Sequence, residues 1–231
     1  MDSTSIKLGS KRITKQSSPY IIAEIGVNHE GSMETAKLLI DLAKEGGADA
    51  AKFQSYKANT LASKNSPSYW DLKKEETNSQ YELFKKYDSF NKDQYEELSN
   101  YCKSIEIDFL STPFDEESLD FLSPLVPFFK IASADITNKP FLRKVAKKNK
   151  PIVLSTGASS ISEIALAIEI INHSNNVEIA LLHCILNYPT INTNANLRMI
   201  KSLLKIFPNN LIGYSDHTLP DLNMSSLISA Y

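Results

Sequence analysis

AAKFQSY (50–56) is an apolar, β-prone run broken by a lysine and a glutamine. The period of two along a strand sends Lys52 and Gln54 to one face and Phe53 to the other. Runs of the same character recur along the chain: YIIAEIGV from Tyr20, DFLSTPF from Asp108, FFKIASA from Phe128, PIVLSTG from Pro151, VEIALLHCI from Val177 and LIGYSDH from Leu211. Helical periodicity fills the intervals. Ile161, Ile164, Ile168 and Ile171 predict one apolar stripe, and Leu197, Ile200, Leu204 and Phe207 another. Ser160 with Glu163 three residues later predicts a capping box at the start of the fifth helix. Before the first strand, IKLGSKRI (6–13) predicts a small hairpin around Gly9-Ser10.

Seven strands, each followed by a helix, imply right-handed crossovers and a parallel sheet. A doubly wound sheet is the structural rival. No G-x-G-x-x-G opens the first helix, and polar residues stand at nearly every strand end rather than at one switch point. The expected fold is therefore an α/β TIM barrel, with chemistry at the C-terminal ends of its strands. One connection is anomalous: residues 58–90, with Pro67, Tyr69, Trp70 and a short helix near Gln80–Lys86, far exceed an ordinary βα loop. A lid over the site and a packed surface excursion are both open readings.

The 231 residues suffice for one large domain, and 42% hydrophobic with 23% charged residues is ordinary for a soluble globular chain. A net charge of −2 offers no footprint for nucleic acid or an anionic membrane. No run approaches a membrane span, and the polar N-terminus lacks a signal-peptide core. Two cysteines make no disulfide framework, which makes a reducing cytoplasm the simplest setting.

Charged side chains inside a barrel are costly unless paired or solvated at its mouth. Lys130 in FFKIAS repeats the pattern of Lys52, and Glu24, Thr112, Ser133, Ser155, Ser215 and His217 accompany them. One inward lysine reads as a structural ion pair; two with this retinue read as a ligand site. Paired cations and hydroxyls suit a phosphate. Gln54 and Thr112 can fix a carboxylate or sugar hydroxyls, Glu24 can act as acid/base or hydroxyl acceptor, and His217 can ligate a metal or donate a proton. Alternation also places Glu24, Gly26 and Asn28 on one face, and Ser215 with His217 on another.

AEIGVNHEG (23–31), KFQ (52–54), STPFD (111–115), KIAS (130–133), LSTGAS (154–159), HC with NYPT (183–190) and GYSDHT (213–218) together resemble the sialic acid synthase family, whose members include N-acetylneuraminate, legionaminate and pseudaminate synthases. The resemblance implies condensation of phosphoenolpyruvate with the open-chain aldehyde of an N-acylated mannose-type sugar. The product is a nine-carbon 2-keto acid plus phosphate, serving surface polysaccharide or glycoconjugate synthesis. By resemblance, Lys52, Lys130, Ser155 and Ser215 hold the phosphate, and Gln54, Thr112 and Ser133 hold the carboxylate and nearby oxygens. Glu24 and Tyr188 meet the sugar. Asp135 stands where some relatives carry the longer glutamate and is a catalytic candidate, and His217 ligates a manganese or magnesium ion.

Leu186 stands where some N-acetylneuraminate synthases place asparagine, and Asn187 beside it faces away on regular alternation, which favours a di-N-acylated sugar such as the legionaminate precursor. The family pattern continues beyond GYSDHT into an eighth strand with a second metal-binding histidine and an antifreeze-like domain, within a homodimer. The expectation for this chain is therefore an N-terminal tail with hairpin (1–17) and a C-terminally truncated barrel (18–231) of seven βα units, without that strand or domain. A catalytically inactive binding remnant is the rival to an active synthase.

Overall fold

The computed structural model describes residues 4–68, 70–73 and 75–231; Tyr69, singled out above, lies outside the described residues. In chain order the elements are β1 (Ser5–Leu8), β2 (Lys11–Thr14), β3 (Ile22–Gly26), α1 (Met33–Glu45), β4 (Ala50–Ser55), α2 (Ala58–Leu61), α3 (Gln80–Tyr87), α4 (Lys92–Ser104), β5 (Asp108–Pro113), α5 (Glu116–Leu122), β6 (Phe129–Ile131), α6 (Lys139–Lys147), β7 (Ile152–Ser155), α7 (Ile161–Ser174), β8 (Ile179–His183), α8 (Arg198–Ile206), β9 (Leu211–Tyr214) and α9 (Ser225–Ala230). Every strand from β3 onward is followed by at least one helix, as the alternation of patterns requires.

The chain forms two compact units, residues 20–127 and residues 1–19 with 128–231. In the first, β3, β4 and β5 lie side by side and parallel. Glu24 pairs with Lys52, and Gln54 with Thr112, in this register. Phe53, on the opposite face, is fully buried and stacks on Phe109 at 5.8 Å between ring centroids. Ile40, Leu98, Leu110, Leu119 and Leu122 are also fully buried in this unit. Removing each from water stabilises by roughly 1.5–3 kcal/mol.

In the second unit β6, β7, β8 and β9 form a parallel sheet in sequence order. Lys130 pairs with Val153, so Lys130 and Ser155 fall on one face of this sheet. The expected hairpin is β1 against β2, turned at Gly9, whose φ of +57° is cheap only for glycine. It is fastened to the edge of the same unit: Lys7 N donates to Glu178 Oε2 at 2.8 Å and Arg12 Nη1 to Glu178 Oε1 at 2.8 Å. No helix among the described residues is long and apolar enough to cross a membrane.

Some local expectations need correction. The capping box on α7 is present, with Ser160 and Glu163 bonded reciprocally. The buried stripe of that helix, however, is Ile164, Ala167, Ile170 and Ile171, while Ile161 is exposed. Ile164 and Ile171 lie in it as expected; Ala167 and Ile170 replace Ile168, because a small alanine buries as readily as an isoleucine and apolar size alone does not mark the inner face. On α8 only Leu203 is fully buried, so the Leu197 to Phe207 stripe is shallow. The alternation invoked for Glu24, Gly26 and Asn28 is broken by a bulge: Gly26, not Ile25, pairs with Phe53.

The described residues of the long connection after β4 make ordered contacts with one another and with the end of that strand. Trp70 Nε1 donates to the carbonyls of Glu75 and Thr77, each at 3.2 Å, and Lys86 pairs with Glu75 at 2.9 Å. Asp88 accepts from Lys57 Nζ at 2.8 Å and from Ala58 N at 3.1 Å, and Phe84 meets Tyr56 edge-on at 5.6 Å. α3 lies where the short helix was expected.

Candidate active site

The unit of residues 20–127 carries its polar set on one face of β3, β4 and β5. Lys52 is only 6% exposed, although it sits within an otherwise apolar strand. Its ammonium pairs with the Glu24 carboxylate and lies 3.5 Å from Thr112 Oγ1, which is buried. Gln54 is two residues further along the same face, half-buried, with its carbonyl held by the Tyr95 hydroxyl at 2.7 Å. Gly26, at φ +58°, closes this set. A Cβ there would come to 3.4 Å from Glu24 Oε1 and 3.5 Å from Gln54 Nε2. Such an array can bind an anion through Lys52 while Thr112 and Gln54 orient it.

The other unit holds a second array. Lys130 is 7% exposed in β6, with its Nζ 3.3 Å from the Ile131 carbonyl. A short 3₁₀ turn at Ser133–Asp135 follows and presents two expected residues. Ser133 Oγ accepts from the Gly157 N–H at 2.8 Å and lies 3.2 Å from Cys184 Sγ. Asp135 accepts from Asn138 Nδ2 at 3.2 Å, and burial raises its carboxyl above the usual range despite that bond. A raised carboxyl is better matched to taking or giving a proton near neutrality. Ser155, at the end of β7, is buried.

β9 ends at Tyr214, so Ser215 and His217 lie on the loop beyond it and their placement does not follow from strand alternation. Three donors shape that loop through Asp216: Tyr214 Oη at 3.0 Å, Thr218 N at 2.8 Å and Ser226 Oγ from α9. Burial pushes the Asp216 carboxyl up, but the Ser226 and Thr218 bonds outweigh it and hold the group below its ordinary value. His217 Nδ1 donates to the Ile185 carbonyl at 2.5 Å, which directs the lone pair of the neutral ring to Nε2. Ser215 Oγ is 3.4 Å from that Nε2, and the Tyr188 ring lies 4.1 Å from the imidazole. Tyr188 itself is 66% exposed. Leu186 and Asn187 also lie beyond their strand, β8, so alternation does not assign them to opposite faces; Leu186 packs toward Gly157 and is half in solvent.

A divalent ion would find one imidazole here. Among the described residues no three His, Cys, Asp or Glu side chains come together as a metal cluster. The described residues therefore do not form a self-contained manganese or magnesium site. His183 Nε2 donates to the Ala195 carbonyl at 2.8 Å and stacks on Tyr214, a structural role.

Three features escaped the sequence. Gly157 is required by close approach, since a Cβ would come to 2.8 Å from Cys184 Sγ and 3.0 Å from Leu186 Cγ. Asp216 organises the His217 loop. His29 is 1% exposed, stacked on Phe90 at 4.0 Å, and burial lowers its imidazole to about 4. The glycine in LSTGAS was the one legible signal; the others depend on contacts distant in sequence.

Comparison with known proteins gives the family. The chain is 42% identical to an N,N'-diacetyllegionaminic acid synthase of Legionella pneumophila, over 87% of this chain and 58% of that protein. It is 41% identical to an N-acetylneuraminate-9-phosphate synthase of Drosophila melanogaster, over 87% and 55% respectively. It superposes on an N-acetylneuraminic acid synthetase from Leptospira borgpetersenii, solved with citrate, with a TM-score of 0.81 and 33% identity over 93% of this chain and 70% of that one. The fold is thus the α/β, TIM-barrel type of those synthases. The chain spans 55–60% of the length of the curated relatives it matches. The sequence pattern of the NeuB family matches residues 39–230, and the chain belongs to that family.

Proposed function

We propose that this chain carries the phosphoenolpyruvate-binding residues of a synthase that condenses phosphoenolpyruvate with an N-acylated mannose-type sugar aldehyde. The observation that carries this reading is the burial of two strand lysines, Lys52 at 6% and Lys130 at 7% exposure; Lys52 lies 3.5 Å from the Thr112 hydroxyl, and Lys130 shares a sheet face with Ser155. A buried ammonium is retained where it meets a charged partner, and a phosphate or carboxylate is the partner that such hydroxyls also serve. By the resemblance, Lys52, Gln54, Thr112, Lys130, Ser133, Ser155 and Ser215 are assigned to oxygens of phosphoenolpyruvate. Glu24 and Tyr188 are assigned to the sugar. Of a divalent ion's ligands, His217 is the one assigned to these residues.

In this reaction C3 of phosphoenolpyruvate bonds to the aldehyde carbon, water adds at C2, and the tetrahedral intermediate releases inorganic phosphate. The lysines and hydroxyls stabilise the charge that gathers on its oxygens. Asp135, with its raised carboxyl, is the group suited to accept the proton of the attacking water. The nine-carbon product's substituents follow from the acceptor sugar, and Leu186 in place of a polar residue favours a di-N-acylated one.

Lys52→Ala and Lys130→Ala test the reading by calorimetric titration of phosphoenolpyruvate into the 231-residue chain. Each should weaken binding at least tenfold, as expected for loss of a charge-assisted contact of about 1.5–3 kcal/mol. Unchanged affinity in both variants would remove the phosphoenolpyruvate assignment.

A further inference from the structure

We propose that Glu24 is the resident counter-ion of Lys52, and that an incoming phosphate-type anion exchanges with this carboxylate instead of entering an empty cationic pocket. This role presupposes that Lys52 binds the substrate anion, as proposed above. The two residues face each other across the β3–β4 pairing, and their side chains form an ion pair. Their environments differ sharply. The Lys52 side chain is 7% exposed and that of Glu24 is 52% exposed. A buried ammonium left bare loses its hydration without compensation. Thr112 Oγ1, at 3.5 Å, offers a dipole but no charge. The carboxylate, by contrast, already has half its surface in water, so detaching it costs little.

The local backbone leaves space for that movement. Gly26, just past the register shift that follows Glu24, has φ +58° and leaves open the position that a Cβ would fill 3.4 Å from Glu24 Oε1. Lys52 stays, Glu24 swings outward, and the anion takes its place. Two consequences follow. The carboxylate becomes available to a sugar hydroxyl only after the anion has bound, so the anion precedes the sugar. When phosphate departs, the returning carboxylate recaptures Lys52 and opposes rebinding.

The test uses inorganic phosphate, titrated calorimetrically into the 231-residue chain and into its Glu24→Gln, Glu24→Ala and Lys52→Ala variants. Removing the competitor should tighten phosphate binding in both Glu24 variants, on the order of five- to tenfold. The phosphate-induced rise in melting temperature should grow with it. Lys52→Ala should abolish the effect, alone or combined with Glu24→Gln. Equal or weaker phosphate binding in both Glu24 variants, with Lys52→Ala still deleterious, overturns the counter-ion role and leaves the phosphoenolpyruvate reading standing. No phosphate binding by the parent chain or by any of its variants overturns both.

Discussion

His29 is a buried imidazole whose surroundings are aromatic. Phe90 stacks on it at 4.0 Å and Phe53 lies 5.9 Å away, while its Nδ1 accepts from the Gly31 N–H at 3.1 Å. Its Nε2 is buried with no hydrogen-bond partner, so the ring is held neutral. Its folded pKa of about 4 lies below the ordinary 6.5, which makes the unfolded chain the better proton binder between those values. The stabilisation is therefore fully present above pH 6.5 and is lost as pH falls toward 4. The loss amounts to about 3 kcal/mol at most. Melting temperature measured from pH 7 to pH 4 should drop, and His29→Phe should flatten the drop. A variant with the same acid sensitivity as the parent would assign that sensitivity elsewhere. No reading of the segment NHEG alone reaches this, because the rings around His29 come from 24 and 61 residues away along the chain.

Elements were more legible than individual side chains. One helix start announced itself by short-range chemistry, the capping box of Ser160 with Glu163 on α7; the structure adds a second, Asn91 with Gln94 on α4. Ser160→Ala on α7 should cost about 1 kcal/mol in chemical denaturation. An unchanged midpoint would mean that the buried face of α7, Ile164, Ala167 and Ile171, sets its stability unaided. Element ends were less legible. Strands β8 and β9 stop at His183 and Tyr214, and the chain leaves the pleat just where Cys184, Leu186, Ser215 and His217 begin. Period-two reasoning holds for Lys52 and Gln54, inside β4. It has no force in these loops, where Asp216 and the Ile185 carbonyl decide orientation instead.

At the scale of the whole molecule, residues 4–19 belong to the same compact unit as residues 128–231. Ile6 and Leu8 are buried to 1% and 6%, and Glu178 ties down both Lys7 N and Arg12. Deleting residues 1–17 should therefore destabilise the chain by about 3–5 kcal/mol, from lost apolar burial with a small electrostatic share. Thermal unfolding would register this as a clear fall in midpoint, and Glu178→Ala should reproduce only a minor part of it. A deletion without effect on the midpoint would make the hairpin an ornament.

Sequence alone determined the order of elements, the parallel connectivity, the family and the residue types of the candidate site. Those properties rest on local periodicity, capping chemistry and motifs that lie contiguous along the chain. Tertiary structure alone decided which face of α7 is buried, how Trp70, Lys86 and Asp88 are held in the connection after β4, and that Glu24 neutralises Lys52. It also decided that Gly157 must lack a side chain beside Cys184 and that His217 presents Nε2. These depend on atoms far apart in sequence meeting at van der Waals or hydrogen-bond distance, where an ångström sets whether a charge is paired, a ring is neutral or a methyl group fits.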